Sequence, residues 1–413
     1  MRRVVVTGIG ALTPIGNNIN AYKEGLQKGI SGANLITHFD PTLFKTKFAC
    51  EIKNFDITGT LDSKDAKRMD LYTQYAMMTA HEAIVDSGLD LSNEDLDRIG
   101  VIYGSGIGGL GTLEKEIEDF ARGNGTPRFN PFMIPKMISD IAAGQISMRY
   151  GLRGINYATV SACATSSHAI INAFDYIRLN KADIIVSGGS EATVTHAGIG
   201  GFNAMKALSE NNDQYLTASR PFDKERDGFV LGEGSGTLIL EEYEHAKKRG
   251  AKIYAEVIGT GMTADAYHLT APHPEGISVE KVMRIALAEA GLNTNEIDYI
   301  NVHGTSTPLG DIAELKAIQK TFGEDAYGIN ISSTKSMTGH LLGAAGAIES
   351  IAGILAIQEG FIPPTINHTV NDPDIDPKLN LTFNEPQQRV VNVVLSNTFG
   401  FGGHNTSIIF KKI

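Results

Sequence analysis

Thr159-Val160-Ser161-Ala162-Cys163-Ala164-Thr165-Ser166-Ser167-His168-Ala169 carries an apolar β-type run into a helix built of small residues. The spacing predicts a strand over 157–162 and a helix over 167–179, with Ala169, Ile170, Ala173, Phe174 and Ile177 on one face. The same order returns in the stretch from Ser332 to Ala347, where a β run over 329–333 leads into another small-residue helix. Outward from these two stretches, more pairs appear. A strand ends in Gly8-Ile9-Gly10, and another in Gly259-Thr260-Gly261. Val101-Ile102-Tyr103-Gly104 has its counterpart in Ile300-Asn301-Val302-His303-Gly304. A glycine turn and a closing strand follow at 232–241 and at 400–411. Matches in one order predict a duplicated α/β unit, with one half over 1–250 and the other over 251–413. No long linker separates the halves, so a site between them is expected.

The chain has 413 residues, with 36 Lys and Arg against 47 Asp and Glu and a net charge of −11. That acidic balance argues against a nucleic-acid binder, which needs a basic excess. Two cysteines exclude a disulfide framework. The N-terminal run Met1 to Gly8 reads as a strand, not as a signal peptide. The longest apolar stretch, 341–357, is short for a membrane span and carries Glu349 in its middle. A soluble, cytoplasmic protein is expected.

Cys163 falls where a β run ends and a helix begins, a place where free N–H groups favour a thiolate. Its small neighbours leave room for a substrate. A buried structural thiol is the other reading, and Cys50 fits it better. His303, His340 and His404 sit at glycine-flanked ends of elements. Sites in open α/β sheets collect at such ends. No histidine pair has the i, i+4 spacing of metal ligands, so no metal site is expected. Glu349 lies in a helix apolar nearly all round, where a carboxylate must be paired or neutralised, and Lys335 is a partner within reach. That pair reads equally well as structural or as catalytic. Asp311 and Glu314 open a helix, where capping is the default reading. Gly104-Ser105-Gly106-Ile107-Gly108-Gly109 matches G-x-G-x-x-G, but no ribose-binding acid follows at the required distance.

Seven stretches together resemble the β-ketoacyl-acyl-carrier-protein synthases, condensing enzymes of the thiolase superfamily. They are Ala162-Cys163-Ala164-Thr165, Ser219-Arg220-Pro221-Phe222-Asp223, Asp227-Gly228-Phe229-Val230, Asp265-Ala266-Tyr267-His268, His303-Gly304-Thr305-Ser306-Thr307, the run from Ser333 to His340, and the run from Gly400 to Asn405. The resemblance covers nearly the whole chain. It implies a thiolase-like, five-layered α/β/α/β/α fold and a homodimer. It implies that Cys163 takes an acyl chain from acyl-carrier protein, while His303 and His340 promote decarboxylation of the malonyl thioester. Lys335 matches the family's catalytic lysine, with Asp311, Glu314 and Glu349 as its supporting network. The backbone of Phe401 is expected to join that of Cys163 in an oxyanion hole. Ile107 and Phe401 are expected to line and gate the acyl tunnel, and Thr305 and Thr307 to hold the pantetheine arm. No cofactor is implied. In some relatives residues matching Asn301, Glu349, Ser396 and Asn397 surround a structural monovalent cation. Carrier protein is acidic, so a local basic patch is needed. Lys64, Lys67, Arg68, Arg128 and Lys206 are its candidates, beside the plainer reading of a solvated surface. Lys206 departs from the family's frequent arginine, and Ser166-Ser167-His168 varies after the nucleophile.

Fatty-acid elongation is therefore the leading expectation. A polyketide- or aryl-polyene-type ketosynthase with the same Cys-His-His set is the alternative. A Cys-His hydrolase, a non-catalytic chain-length factor and a nucleotide-dependent oxidoreductase rank below it, and the retained Cys163 speaks against the second of these.

Overall fold

The computed structural model describes residues 1–413. Ten strands form one mixed sheet: β1 (Val4–Leu12), β2 (Ile99–Gly104), β3 (Asn156–Tyr157), β4 (Ile184–Glu191), β5 (Gly234–Glu242), β6 (Ala255–Ala264), β7 (Tyr299–Asn301), β8 (Asn330–Ser332), β9 (Val393–Gly400) and β10 (His404–Lys411). Their spatial order is 3-2-4-5-1-6-10-9-7-8. Read outward from the centre, the two halves are the same: β1 matches β6, β5 matches β10, β4 matches β9, β2 matches β7 and β3 matches β8. Directions agree as well. Each half has three antiparallel neighbours at its inner end and parallel pairs at its outer end. The halves meet in a short antiparallel ladder, Val4–Val6 against Ala255–Val257.

Six helices make the layers: α1 (Leu71–Asp86), α2 (Ile141–Tyr150), α3 (Thr165–Arg178), α4 (Ile277–Ala290), α5 (Pro308–Phe322) and α6 (Ala345–Glu359). Helices α3 and α6 lie between the half-sheets and share the largest apolar core with Leu238, Leu240, Val394, Ile408 and Phe410. The outer helices α1 and α2 cover the first half-sheet, and α4 and α5 cover the second. The result is five layers of helix and sheet in alternation. The apolar stretch around Glu349 is the middle layer. The segment Leu342–Glu359 is the one helix long and apolar enough to cross a membrane, and 89% of it is buried inside the protein.

The paired Gly-x-Gly motifs have a packing cause. A Cβ on Gly8 would lie 2.2 Å from the Ala83 carbonyl oxygen, and one on Gly10 would lie 2.1 Å from that of Thr79. In the second half, Gly259 and Gly261 would meet the carbonyls of Ala286 and Val282 at 2.3 Å each. Glycine there lets an outer helix rest its backbone on the strand. Carboxylates complete both contacts: Asp86 accepts from Ile9 N at 3.0 Å, and Glu289 accepts from Thr260 N at 2.7 Å.

Two boundaries differ from the sequence reading. The strand expected over 157–162 ends at Tyr157, because side chains bend the next residues into a turn. Thr159 Oγ1 donates to Thr165 O at 2.8 Å, and Ser161 N donates to Thr165 Oγ1 at 2.9 Å. Strand β1 runs on past Gly8, since a bulge after Val6 lets pairing with β5 resume.

The middle layer predicts the cost of a cavity. Ile351 on α6 is fully buried. Ile351→Ala should lower unfolding stability by about 2–5 kcal/mol, and Ile351→Val by about 1 kcal/mol. Urea denaturation of the two variants measures this; equal stability of Ile351→Ala and the parent would contradict the layer assignment.

Candidate active site

Cys163 sits in a 3-10 turn, Ala162–Ala164, directly before α3. The turn is strained: Ala162 has φ of 50°, in the left-handed region. This elbow brings the sulfur to the floor of a cavity of about 440 Å³, lined also by His303, His340, Phe399, Phe401 and Ile107. His340 comes from the loop before α6, not from the helix itself. Its backbone is pinned on both sides, with His340 N donating to Val230 O at 2.8 Å and Gly232 N donating to His340 O at 2.9 Å. This places His340 Nε2 at 3.0 Å from Cys163 Sγ. His303 follows β7, and its ring stands edge-on to that of His340, with centroids 5.3 Å apart. Phe399 packs on His303 and Phe229 on His340, at 5.5 and 5.4 Å.

Burial decides the charge states. Both histidines are held well below the ordinary imidazole value, first by desolvation and then by the nearby Lys335 cation. They are neutral at physiological pH. Burial also pushes the Cys163 thiol up to about 12. Lys335 and the backbone N–H of Phe401, which reaches the sulfur, pull the other way without prevailing. This corrects the expectation of a resting thiolate. The regular helix begins two residues after the sulfur, at Thr165.

Lys335 and Glu349 form a contact ion pair, both nearly without solvent exposure. Burial pushes Glu349 up to about 7 against the pull of Lys335. Lys335 lies outside the cavity wall and acts on the histidines through its charge. Asp311 and Glu314 do not cap their own helix, which corrects the default reading. Its first turn starts at Pro308, and both acids reach back to the preceding loop. Glu314 accepts from His303 N at 2.9 Å and Gly304 N at 2.8 Å. Asp311 accepts from Phe222 N at 3.0 Å and Ser306 N at 3.2 Å, and pairs with Arg226 at 3.2 Å. A loop with so many free N–H groups needs acceptors more than the helix does.

The hydroxyls of Thr305 and Thr307 lie 3.0 Å apart on the cavity wall. Lys206 stands at the cavity. Lys64, Lys67, Arg68 and Arg128 are exposed away from the lining, with the Arg68 guanidinium 5.4 Å from the Phe132 ring. His404 and Cys50 do not line the cavity. His404 faces His168, whose Nδ1 lies 2.6 Å from Ser161 Oγ. Asn301 Oδ1, Ser396 Oγ and Glu349 Oε2 are buried without partners, and Asn301 pairs with Ser396 across adjacent strands.

Sequence reasoning missed Glu191, a fully buried carboxylate at the end of β4. Its sequence setting gave little signal: Ser187-Gly188-Gly189-Ser190 separate it from the apolar run Ile184-Ile185-Val186, so no apolar surround marks it as Glu349 is marked. Glu191 accepts from Gly106 N at 2.8 Å and from Ile107 N at 3.3 Å. A dinucleotide phosphate would need those N–H groups, so the glycine run at 104–109 is a carboxylate cradle and not a nucleotide loop.

Known proteins are similar to this chain over its full length. The 3-oxoacyl-[acyl-carrier-protein] synthase 2 of Staphylococcus aureus strain N315 is 48% identical over 414 aligned residues, covering 100% of this chain and 98% of that one. A solved β-ketoacyl synthase from Burkholderia phymatum superposes with a TM-score of 0.92 at 35% identity, over the full length of both chains. A type II polyketide ketosynthase, solved in complex with its acyl-carrier protein, superposes with a TM-score of 0.91 at 34% identity, covering 100% and 99%. The models of the β-ketoacyl synthase N-terminal and C-terminal domains match residues 1–246 and 254–369, and the chain belongs to the β-ketoacyl synthase family.

Proposed function

We propose that the protein joins an acyl thioester to a malonyl thioester, both on acyl-carrier protein, giving 3-oxoacyl-acyl-carrier protein and CO2 in fatty-acid elongation. One observation carries this reading: a buried thiol and two uncharged imidazoles share the floor of one apolar cavity. The 48% identity to a 3-oxoacyl-acyl-carrier-protein synthase favours elongation over polyketide synthesis, whose solved ketosynthase is 34% identical.

In the first half-reaction the Cys163 sulfur attacks the acyl carbonyl. The thiol proton passes to the departing pantetheine sulfur, while His340 Nε2–H, 3.0 Å from the Cys163 sulfur, donates to the negative charge that develops there. In the second, the bond to the malonyl carboxylate breaks, CO2 departs, and its electron pair becomes an enolate. His303 and His340, as neutral N–H donors, stabilise the enolate oxygen. The enolate carbon attacks the acyl-Cys163 carbonyl. Backbone N–H groups of Cys163 and Phe401 bind the resulting oxyanion, which collapses and releases the sulfur. Lys335, held by Glu349, adds positive charge beneath the histidines. Asp311 and Glu314 fix the loop that carries His303.

Thr305 and Thr307 hold the pantetheine arm, while Ile107 and Phe401 shape the acyl tunnel. Lys206 at the cavity, with Lys64, Lys67, Arg68 and Arg128, attracts the acidic carrier. We assign the protein to the cytoplasm as a homodimer of two-halved subunits that divide near Gly250. Exposed Ile117, Phe120, Phe129, Phe132 and Ile134 and the free edge of β3 support that pairing.

Cys163→Ala should abolish condensation. His303→Ala and His340→Ala should each slow CO2 release from malonyl-acyl-carrier protein by about 10²–10³-fold. Labelled-CO2 assays test both, and full condensation by Cys163→Ala overturns the assignment. With the thiol raised by burial, alkylation of Cys163 by iodoacetamide should climb about tenfold per pH unit without levelling off below pH ~10. A plateau near neutrality would show a resting thiolate instead.

A further inference from the structure

Four donors from two separate turns converge on Glu191. Ser105 Oγ donates to Oε1 at 2.9 Å, and Ile107 N to the same oxygen at 3.3 Å. Gly106 N and Gly343 N donate to Oε2 at 2.8 and 3.0 Å. A carboxylate is the side chain that accepts all four without offering a donor of its own. The first three donors belong to the turn between β2 and the helix Leu110–Arg122. The fourth belongs to the turn Leu342–Ala344, directly before α6. Space at the junction is fully used. A Cβ on Gly106 would lie 2.8 Å from Oε2, and one on Gly343 would lie 2.3 Å from Gly106 N. Ser105 Oγ also accepts from Gly108 N at 2.9 Å, which extends the clamp along the turn.

Glu191 itself does not line the cavity, but what it holds does. Ile107 projects into the cavity wall and keeps 40% of its surface exposed. Its backbone N–H is bonded to Glu191, so the anchor bears directly on its position. We infer that Glu191 is a positioning residue that determines which acyl chains the cavity accepts, by tying the Ile107 turn to the Gly343 turn. This rests on the reading of Ile107 as a wall of the acyl tunnel and names what fixes that wall. With the anchor released, Ile107 swings aside and the cavity lengthens.

The test compares kcat/KM for short and long saturated acyl-carrier-protein primers in the parent, Glu191→Gln, Ile107→Ala and the double variant. Glutamine keeps the shape but turns an amide NH2 toward N–H donors, so at least one donor loses its acceptor. The long-to-short ratio should rise about tenfold in Glu191→Gln, the scale of one bond to a charged acceptor. It should also rise in Ile107→Ala, and adding Glu191→Gln to that variant should change it by less than about twofold, since coupled residues are not additive. Equal loss for both primers, or the same shift in the Ile107→Ala background, overturns the inference. An unchanged ratio in Ile107→Ala would sink the tunnel reading itself. Should Glu191→Gln fail to accumulate, Ser105→Ala removes one bond and keeps the carboxylate. It should raise the ratio about threefold, and a parental ratio there overturns the inference equally.

Discussion

Burial at the cavity floor sets the protonation of Cys163, His303 and His340. A buried imidazole resists taking a proton, and a buried thiol resists losing one. Cys163, His303 and His340 are therefore all uncharged while they wait for substrate. Beside apolar side chains the histidine N–H donors act at lowered dielectric. The buried Lys335 cation is tolerated because Glu349 pairs with it, and removing either partner would strand a charge.

Duplication explains where this floor lies. Both half-sheets feed a small-residue helix into the middle layer through a left-handed elbow. Ala162 has φ of 50° in the first elbow, and Leu342 has φ of 45° in the second. The residue after the strained one is Cys163 in one copy and Gly343 in the other. Chemistry appears where the repeat is broken. The first elbow presents a sulfur to the cavity; the second presents only an N–H, which Glu191 takes up. The two elbows face each other across the junction of the halves, so neither half alone contains a complete site.

Much of this was legible in the sequence. The paired Gly-x-Gly motifs, the paired small-residue helices and the order of strands announced the repeat, because close helix-on-strand packing leaves a glycine signature. Cys163, His303 and His340 stood out by position at element ends. What stayed hidden was set by three-dimensional surroundings. The dipole argument for Cys163 left out desolvation, since sequence shows a helix start but not the depth of burial. The direction of Asp311 and Glu314 was also misread, because capping is a local pattern and the loop that needs them is not. Glu191 was passed over because the glycines beside it drew attention to phosphate binding.

The carboxylates share one structural task. Glycine-rich turns around the cavity carry few side chains, so packing cannot hold them. Backbone hydrogen bonds within the turns are too few to do so. Acids reach in from stable elements and accept the free N–H groups in clusters. Glu314 takes His303 and Gly304, Asp311 takes Phe222 and Ser306, and Glu191 takes Gly106, Ile107 and Gly343. Away from the cavity lining and in loops of other composition, Asp223 takes Glu225, Thr369 and Val370, and Glu51 takes Thr37 and His38. Each acceptor is buried or nearly so, and each must overcome its own desolvation through several bonds at once. The arrangement fixes the backbone of the turns that carry His303 and Ile107. Part of the chain's acidity therefore serves to hold the site together rather than to face solvent.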